Sequence, residues 1–257
     1  MKLAVISDLH LGDPTSSLCV RTGDQYAIGP KYQALANKIH HFGKLDYLVL
    51  LGDVFDFSIT NFSDAYEAAK PFLRAIKSDG IANEIIYVPG NHDFTAWSLT
   101  MHESNIINQI KAGSTLKDRW SVPAVIDSRQ NGKLMLSGVK ARPDGTYGDL
   151  FFDQIGGIKF NVAYPNLYVV EKTGRTTLIT HGHYFESYWS LTSRIAVEIF
   201  KEDLKFASQS QGPSIEEFVA VNYPLNDLAS SGLGMAGPLT PLVRSIEIDA
   251  KSGNLTH

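Results

Sequence analysis

The sequence predicts an α/β layered domain, and three observations carry that prediction. Short apolar runs alternate with stretches of helical periodicity, in β-α-β-α-β order from Leu3 to Val88. The runs are short and β-branched, as expected for strands buried on both faces. Several of them stop abruptly at Asp, Asn or His, and ligands of α/β sheets bind at the carboxyl ends of strands.

Leu3 to Ser7 is the first strand and ends in Asp8-Leu9-His10. Gly12 to Pro30, rich in Gly, Pro, Asp and Thr, reads as a loop long enough to form a functional lip. Tyr32, Leu35, Ala36, Ile39 and Phe42 mark one face of a helix that Gly43 ends. Tyr47 to Leu51 is a second strand, terminating in Gly52-Asp53. Tyr66, Ala69, Leu73 and Ile76 mark another helix, kinked or shifted by Pro71. Ile85 to Val88 is a third strand and runs into Pro89-Gly90-Asn91-His92-Asp93. Beyond Ser98 the pattern loosens. Met101 to Ala112 reads as helix, and Lys133 to Val139 and Lys159 to Ala163 read as strands around the turn Arg142-Pro143-Asp144-Gly145. Thr176 to Thr180 is a strand ending in His181-Gly182-His183. Leu191, Ile195 and Ile199, with Ala196 and Phe200, form an amphipathic helix, and Ser214-Ile215-Glu216-Glu217 after Pro213 is a capping box opening another. Ser230 to Pro241, dominated by Gly, Ser and Pro, reads as a mobile connection, followed by a strand at Val243 to Ile248.

Composition narrows the function. With 44% hydrophobic and 19% charged residues, 257 residues are enough to bury a full core. The net charge is −4 and no Lys/Arg block is present, so extended nucleic-acid binding has no electrostatic support. The single Cys19 excludes an intramolecular disulfide and fits a reducing compartment; its ordinary role is that of a small apolar filler. No signal-peptide core is visible, and no apolar run approaches the ~20 residues of a membrane span. A cytoplasmic protein is the expectation.

The chemistry lies where the strands end. Asp, Asn and His together suit Mn²⁺, Fe²⁺, Zn²⁺ or Ni²⁺ better than Ca²⁺. Glycines beside Asp53 and Asn91 allow sharp turns and the close approach of a phosphate. Two neighbouring ions need a bridging carboxylate, and Asp53, on the middle strand, is the natural candidate. Such a pair activates a water and clamps phosphoryl oxygens. A lone Asp or His after a strand is ordinarily a turn residue or a cap, and Gly-Asp alone is equally weak. Gly90-Asn91-His92-Asp93 directly after a strand is far more specific, because few turns need amide, imidazole and carboxylate in succession.

Taken together, Asp8-Leu9-His10, Gly52-Asp53-Val54-Phe55-Asp56, Gly90-Asn91-His92-Asp93 and His181 resemble the motifs of the calcineurin-like metallophosphoesterase superfamily. The resemblance runs from the first strand to about His183. Leu9-His10-Leu11, Val54-Phe55-Asp56-Phe57 and a helical insertion after the His-Gly step are similar to its UDP-2,3-diacylglucosamine pyrophosphohydrolase branch. It implies a four-layer α-β-β-α sandwich of two mixed sheets, spanning 1–257, with a helical insertion or cap at about 184–241. It further implies two divalent ions, Mn²⁺ first among Mn, Fe, Zn and Ni. Asp8 and His10 would hold one, Asp53 would bridge, and Asn91 and His181 would hold the second. His92 would protonate the leaving oxygen or stabilise the transition state, Asp56 would orient it, and Asn91, His92 and His183 would contact the substrate, a phosphorylated small molecule or nucleotide-like ester.

One departure from the family pattern concerns its last motif, G-H-x-H, which should follow the insertion. Nothing after Gly182 matches it, and Asn254-Leu255-Thr256-His257 carries a His without the Gly-His pair. The expectation is that the C-terminal part of the domain is missing; the alternative is a reduced site. His183 is either a substitute ligand or a contact to substrate phosphate. Tyr184, Phe185, Tyr188 and Trp189 either line a pocket or pack the insertion, and Arg142 and Arg194 are candidate phosphate clamps. His40, His41 and His102 read as surface or cap residues. Two other functions stay open: a nuclease-like phosphodiesterase, and a non-catalytic scaffold on the same fold. The oligomeric state is open as well.

Overall fold

The computed structural model describes residues 1–58, 60–116, 119–139, 145–146, 158–187, 189–199, 213–231 and 245. Its strands are β1 (Leu3–Ile6), β2 (Cys19–Thr22), β3 (Gln25–Ile28), β4 (Leu45–Leu51), β5 (Ala82–Val88), β6 (Ala124–Asp127), β7 (Lys133–Leu136), β8 (Gly145–Thr146), β9 (Lys159–Val162), β10 (Asn166–Val170) and β11 (Thr176–Thr180). The α-helices are α1 (Tyr32–His41), α2 (Phe62–Ser78), α3 (Phe94–His102), α4 (Asn108–Lys111), α5 (Leu191–Ile199) and α6 (Ile215–Ser231), with one π-helical stretch, Glu103–Ile107, between α3 and α4.

A five-stranded sheet, in the order β1-β4-β5-β9-β8, faces a four-stranded one, β11-β10-β6-β7. The resemblance implies two mixed sheets. The five-stranded sheet is instead parallel in each of its described pairings, and only the four-stranded one is mixed. The period-2 alternation of β4 and β5 builds two cores at once. Leu48, Leu50, Ile85 and Tyr87 point to the side where α1 and α2 pack through Tyr32, Ala36, Ala69, Phe72 and Ile76. Tyr47, Val49, Ile86 and Val88 point the other way, onto Ala124, Ile126, Ala163 and Leu167 beside the second sheet. Both faces of these central strands are therefore dry, which explains their unbroken apolar sequence. The Tyr47 hydroxyl, at the edge of the inter-sheet core, donates to Gly132 O at 2.8 Å.

Several expectations need correction. Among the described residues β1 is an edge strand, not one buried on both faces, and Val5 is 39% exposed. The expected loop 12–30 contains the β2–β3 hairpin, whose Cys19 is buried in the α1–α2 core; burial pushes its thiol up to about 11. Phe42, assigned to the buried face of α1, lies at its C-cap and is exposed, while Gly43 closes the helix as expected, its N–H donating to His40 O at 2.9 Å. α2 runs through Pro71 and starts at Asn61, whose side chain caps Asp64 N at 2.7 Å. Helix begins at Phe94 rather than Met101. Phe94, Trp97 and Met101 are buried together with Thr95, Ser98 and Thr100, so α3 has no polar stripe to announce it. β6 and β10 were not anticipated; each is a short run in a stretch where the periodicity loosens. The turn at 142–144 and, apart from Ser245, the expected strand at 243–248 lie outside the described residues; of the expected connection at 230–241, Ser230 and Ser231 instead close α6 and the rest lies outside.

The capping box at Ser214 forms as read: Ser214 N donates to Glu217 Oε2 at 2.9 Å and Glu217 N donates to Ser214 Oγ at 3.2 Å. α6 is then clamped to the core by Glu216, whose carboxylate accepts from Trp120 N (2.5 Å), Ser121 N (2.9 Å) and the Ser121 hydroxyl. Replacing Glu216 by Ala leaves two main-chain N–H groups without their acceptor. The expected cost is about 2 kcal/mol, a fall of about 4–8 °C in Tm. Thermal unfolding followed by circular dichroism measures it, and an unchanged Tm would show that the clamp contributes nothing.

Candidate metal centre

The loops leaving β1, β4 and β5 converge at one end of the five-stranded sheet. After β1 the chain stays paired with the β4 loop: Asp8 N donates to Gly52 O (3.1 Å), His10 N to Asp53 O (2.8 Å) and Leu11 N to Val54 O (2.8 Å). Asp8, His10 and Asp53 all hold positive φ, at 56°, 44° and 51°. For non-glycine residues this backbone costs of order 1–3 kcal/mol each and persists only where the surroundings over-determine it. Here the inter-loop ladder and the buried Leu9, Leu11, Val54 and Phe55 do so.

Two glycines set how closely the parts can meet. A Cβ on Gly52 would lie 2.2 Å from His181 Nδ1, and one on Gly90 would lie 2.4 Å from Asp53 Oδ1 and 2.8 Å from His181 Cδ2. Glycine at both positions lets β11, from the second sheet, deliver His181 beside Asp53 on the first.

The predicted residues gather around this point. Ligand atoms of Asp8, His10 and Asp53 lie within 4.8 Å of one another, and so do those of His10, Asp56 and His92. Asp53 Oδ2 is 3.3 Å from His181 Nε2 and 4.0 Å from His10 Nε2. Asn91 Oδ1 lies 3.1 Å from His181 Nε2, and Asp53 Oδ1 accepts from His92 N at 2.9 Å. Asp56, 1% exposed, uses one oxygen for His10 Nδ1 (2.9 Å) and the other for His92 Nδ1 (3.0 Å).

A carboxylate can only accept, so both Nδ1 atoms on Asp56 carry hydrogen and both Nε2 atoms are presented away from it. His181 follows the same logic, its Nδ1 donating to Leu51 O at 3.2 Å. Charge is balanced within the cluster. Burial pulls the His181 pKa down, but hydrogen bonding and attraction to Asp53 outweigh it and carry it to about 9. Burial pushes Asp53 and Asp56 up, yet the histidines they contact hold both carboxyls below their ordinary value. The hydrogen bond that His10 donates to Asp56 raises the His10 pKa. A proton on His181 Nε2 satisfies the Asp53 and Asn91 oxygens; a divalent cation would satisfy the same oxygens and the imidazole lone pair. Carboxylate, amide oxygen and imidazole nitrogen at one point therefore fit a borderline divalent metal.

Asp93 was quoted only as part of a motif, but it pins the site from beneath. It is fully buried and accepts from Gly90 N (2.6 Å), Val54 N (2.7 Å) and the Tyr87 hydroxyl (2.5 Å). One carboxylate thus ties the Gly90 loop to the Asp53 loop. Burial, with Asp53 nearby, pushes its pKa up. Its spacing three residues after Gly90 is the local signal that marks this back-bond. Ser58, also unanticipated, touches both Asp56 and His92.

Other candidates stand apart. His183 is 5% exposed, with Nε2 3.3 Å from the Tyr164 hydroxyl and its ring 5.7 Å from that of His181. Burial pulls its pKa down to about 3, so it is neutral, and its Nδ1 has no partner among the described residues. Tyr184 is structural, bonded to the hydroxyl of Tyr164 (2.7 Å) and to Asn226 of α6 (3.2 Å), whereas Phe185 is 81% exposed. Arg194, His40, His41 and His102 are exposed; Arg142, Tyr188 and His257 lie outside the described residues.

A family model described as calcineurin-like phosphoesterase matches residues 1–207. No curated protein and no solved structure matches the chain.

Gly90→Ala drives a methyl group into Asp53 and His181. The expected result is a loss of Mn²⁺ affinity of at least about tenfold, the size associated with disturbing groups that orient metal ligands. Titration calorimetry reads it, and undiminished affinity would show that the close approach is not required.

Proposed function

The chain belongs to the calcineurin-like phosphoesterase family, hydrolases that act on phosphoric ester bonds, and on that premise we propose that it hydrolyses a small or nucleotide-like phosphate ester at a dinuclear metal centre. Asp8 and His10 would hold one ion and Asn91 and His181 the other, with Asp53 as the carboxylate shared between them. The observation that carries this reading is the position of Asp53 Oδ2, within reach of Nε2 of both His10 and His181. When bound, divalent ions there supply charge to the phosphoryl oxygens and make a water nucleophilic. Mn²⁺ heads the candidates, and Fe, Zn and Ni suit the same donors.

The chain's own residues do the rest. His92 is anchored through Nδ1 on Asp56 and through its main-chain N–H on Asp53, and Nε2, on the far side of the ring from Asp56, is the atom assigned to the ester. As water attacks phosphorus and the bond to the leaving oxygen breaks, His92 acts as the imidazolium, with hydrogen on both ring nitrogens: Nδ1–H stays on Asp56 and the Nε2 proton passes to the leaving oxygen. Asp56 stays ionised and keeps hydrogen on Nδ1 of both His10 and His92. The Asn91 amide contacts a phosphoryl oxygen. His183, enclosed against Tyr164, stands outside these contacts.

The finer identity is part of the same proposal. Leu9-His10-Leu11 and Val54-Phe55-Asp56-Phe57 support the UDP-2,3-diacylglucosamine pyrophosphohydrolase-like branch and its four-layer sandwich, with 184–241 as an insertion. A cytoplasmic location accords with the single cysteine. No helix among the described residues is long and apolar enough to cross a membrane.

The test is hydrolysis of p-nitrophenyl phosphate, its bis ester and a nucleoside diphosphate ester. Chelation should abolish turnover and Mn²⁺ should restore it; activity indifferent to chelation would overturn the reading. His92→Ala should lower kcat at least ~10²-fold with Mn²⁺ content retained. An unchanged kcat would remove His92 as the acid.

A further inference from the structure

We propose that Ser58 is a positioning residue for His92, a role that rests on reading His92 as the donor to the leaving oxygen. Ser58 Oγ donates to Asp56 Oδ1 at 2.5 Å and lies 2.7 Å from His92 Nδ1, while the same Asp56 oxygen lies 3.0 Å from that nitrogen. The three atoms close a triangle, and their hydrogens can be arranged in one way. The carboxylate has none to give, so the hydroxyl hydrogen goes to Asp56 and the Nδ1–H of His92 is shared between Asp56 Oδ1 and Ser58 Oγ.

This addition matters because Asp56 serves two rings. One of its oxygens holds His10 and the other holds His92, so movement toward either imidazole loosens the other. Ser58 secures the oxygen that faces His92. The main chain on both sides is already fixed: Phe57 N donates to His92 O at 3.1 Å, and His92 N donates to Asp53 Oδ1 at 2.9 Å. What the hydroxyl controls is rotation of the His92 ring about its own side chain. The second acceptor on Nδ1 sets the ring plane and therefore the direction of Nε2. The ring also meets His10 edge to face, 5.1 Å between centroids and 87° between planes, so a tilt of His92 would press on a metal-ligand candidate. Ser58 is half-buried, and in these bonds it touches Asp56 and His92 but none of Asp8, His10, Asp53, Asn91 and His181; it acts through Asp56 and His92.

A double-mutant cycle with its conservative control tests this, using Mn²⁺-loaded protein and p-nitrophenyl phosphate. Ser58→Ala should lower kcat about tenfold, the size of one lost hydrogen bond. KM, Mn²⁺ content and Tm should stay at wild-type values. Ser58→Thr, which keeps the hydroxyl, should recover most of the rate. In a His92→Ala background, Ser58→Ala should cause no further loss, because the effect runs through the ring already removed. Multiplicative losses in the double variant would overturn the proposal, as would a Ser58→Ala enzyme that turns over normally beside a crippled His92→Ala. Loss of Mn²⁺ in Ser58→Ala would overturn it too, by assigning Ser58 to the metal centre. Full turnover in His92→Ala would instead remove the reading of His92 on which this role depends.

Discussion

The arrangement at the strand ends depends on one close approach, that of the Asp53 carboxylate to the His181 imidazole across the two sheets. They meet at 3.3 Å only because positions 52 and 90 carry a hydrogen where any other residue would place a carbon inside the imidazole or against the carboxylate. This is a steric constraint before it is a chemical one. Once satisfied, it joins the two sheets at a single site, because β11 then contributes to the same cluster as β1, β4 and β5.

The cost of this geometry falls on the backbone and on buried charge. Asp8, His10 and Asp53 sit in left-handed conformations, and Asp53, Asp56 and Asp93 are all buried carboxylates. Neither would persist in a loosely packed loop. The loops are over-determined by the ladder from Asp8 to Leu11, by the back-bonds of Asp93, and by the buried aromatic stack of Phe55 on Phe57. Each carboxylate has donors directed at it, which converts an expensive burial into a fixed orientation. The rigidity a metal site needs thus follows from how the strain is held.

Much of this was legible in the sequence, for identifiable reasons. β4 and β5 announce themselves because both of their faces are buried. The site motifs follow strands directly, so their order along the chain is also their order in space. Asp56 was readable as the residue that orients a histidine, although not that it holds two. What was not legible came from features without periodic signal. α3 is polar and apolar all round yet almost wholly buried, so it carries no amphipathic stripe. The β2–β3 hairpin hides in a segment whose composition is that of a loop. β1 looks like a central strand because it is short and apolar, but edge position is a property of the sheet, not of the strand. His183 reads as a metal-type residue by its neighbours, while the hydroxyl that faces its Nε2, that of Tyr164, comes from another strand end.

The account stands most directly on the number of metal ions the cluster holds. Protein loaded with Mn²⁺, desalted and subjected to elemental analysis should retain about two ions per chain, as a bridged pair requires, and Asp53→Ala should retain neither. A single ion in the wild type, or full retention in Asp53→Ala, would contradict a centre built around that carboxylate.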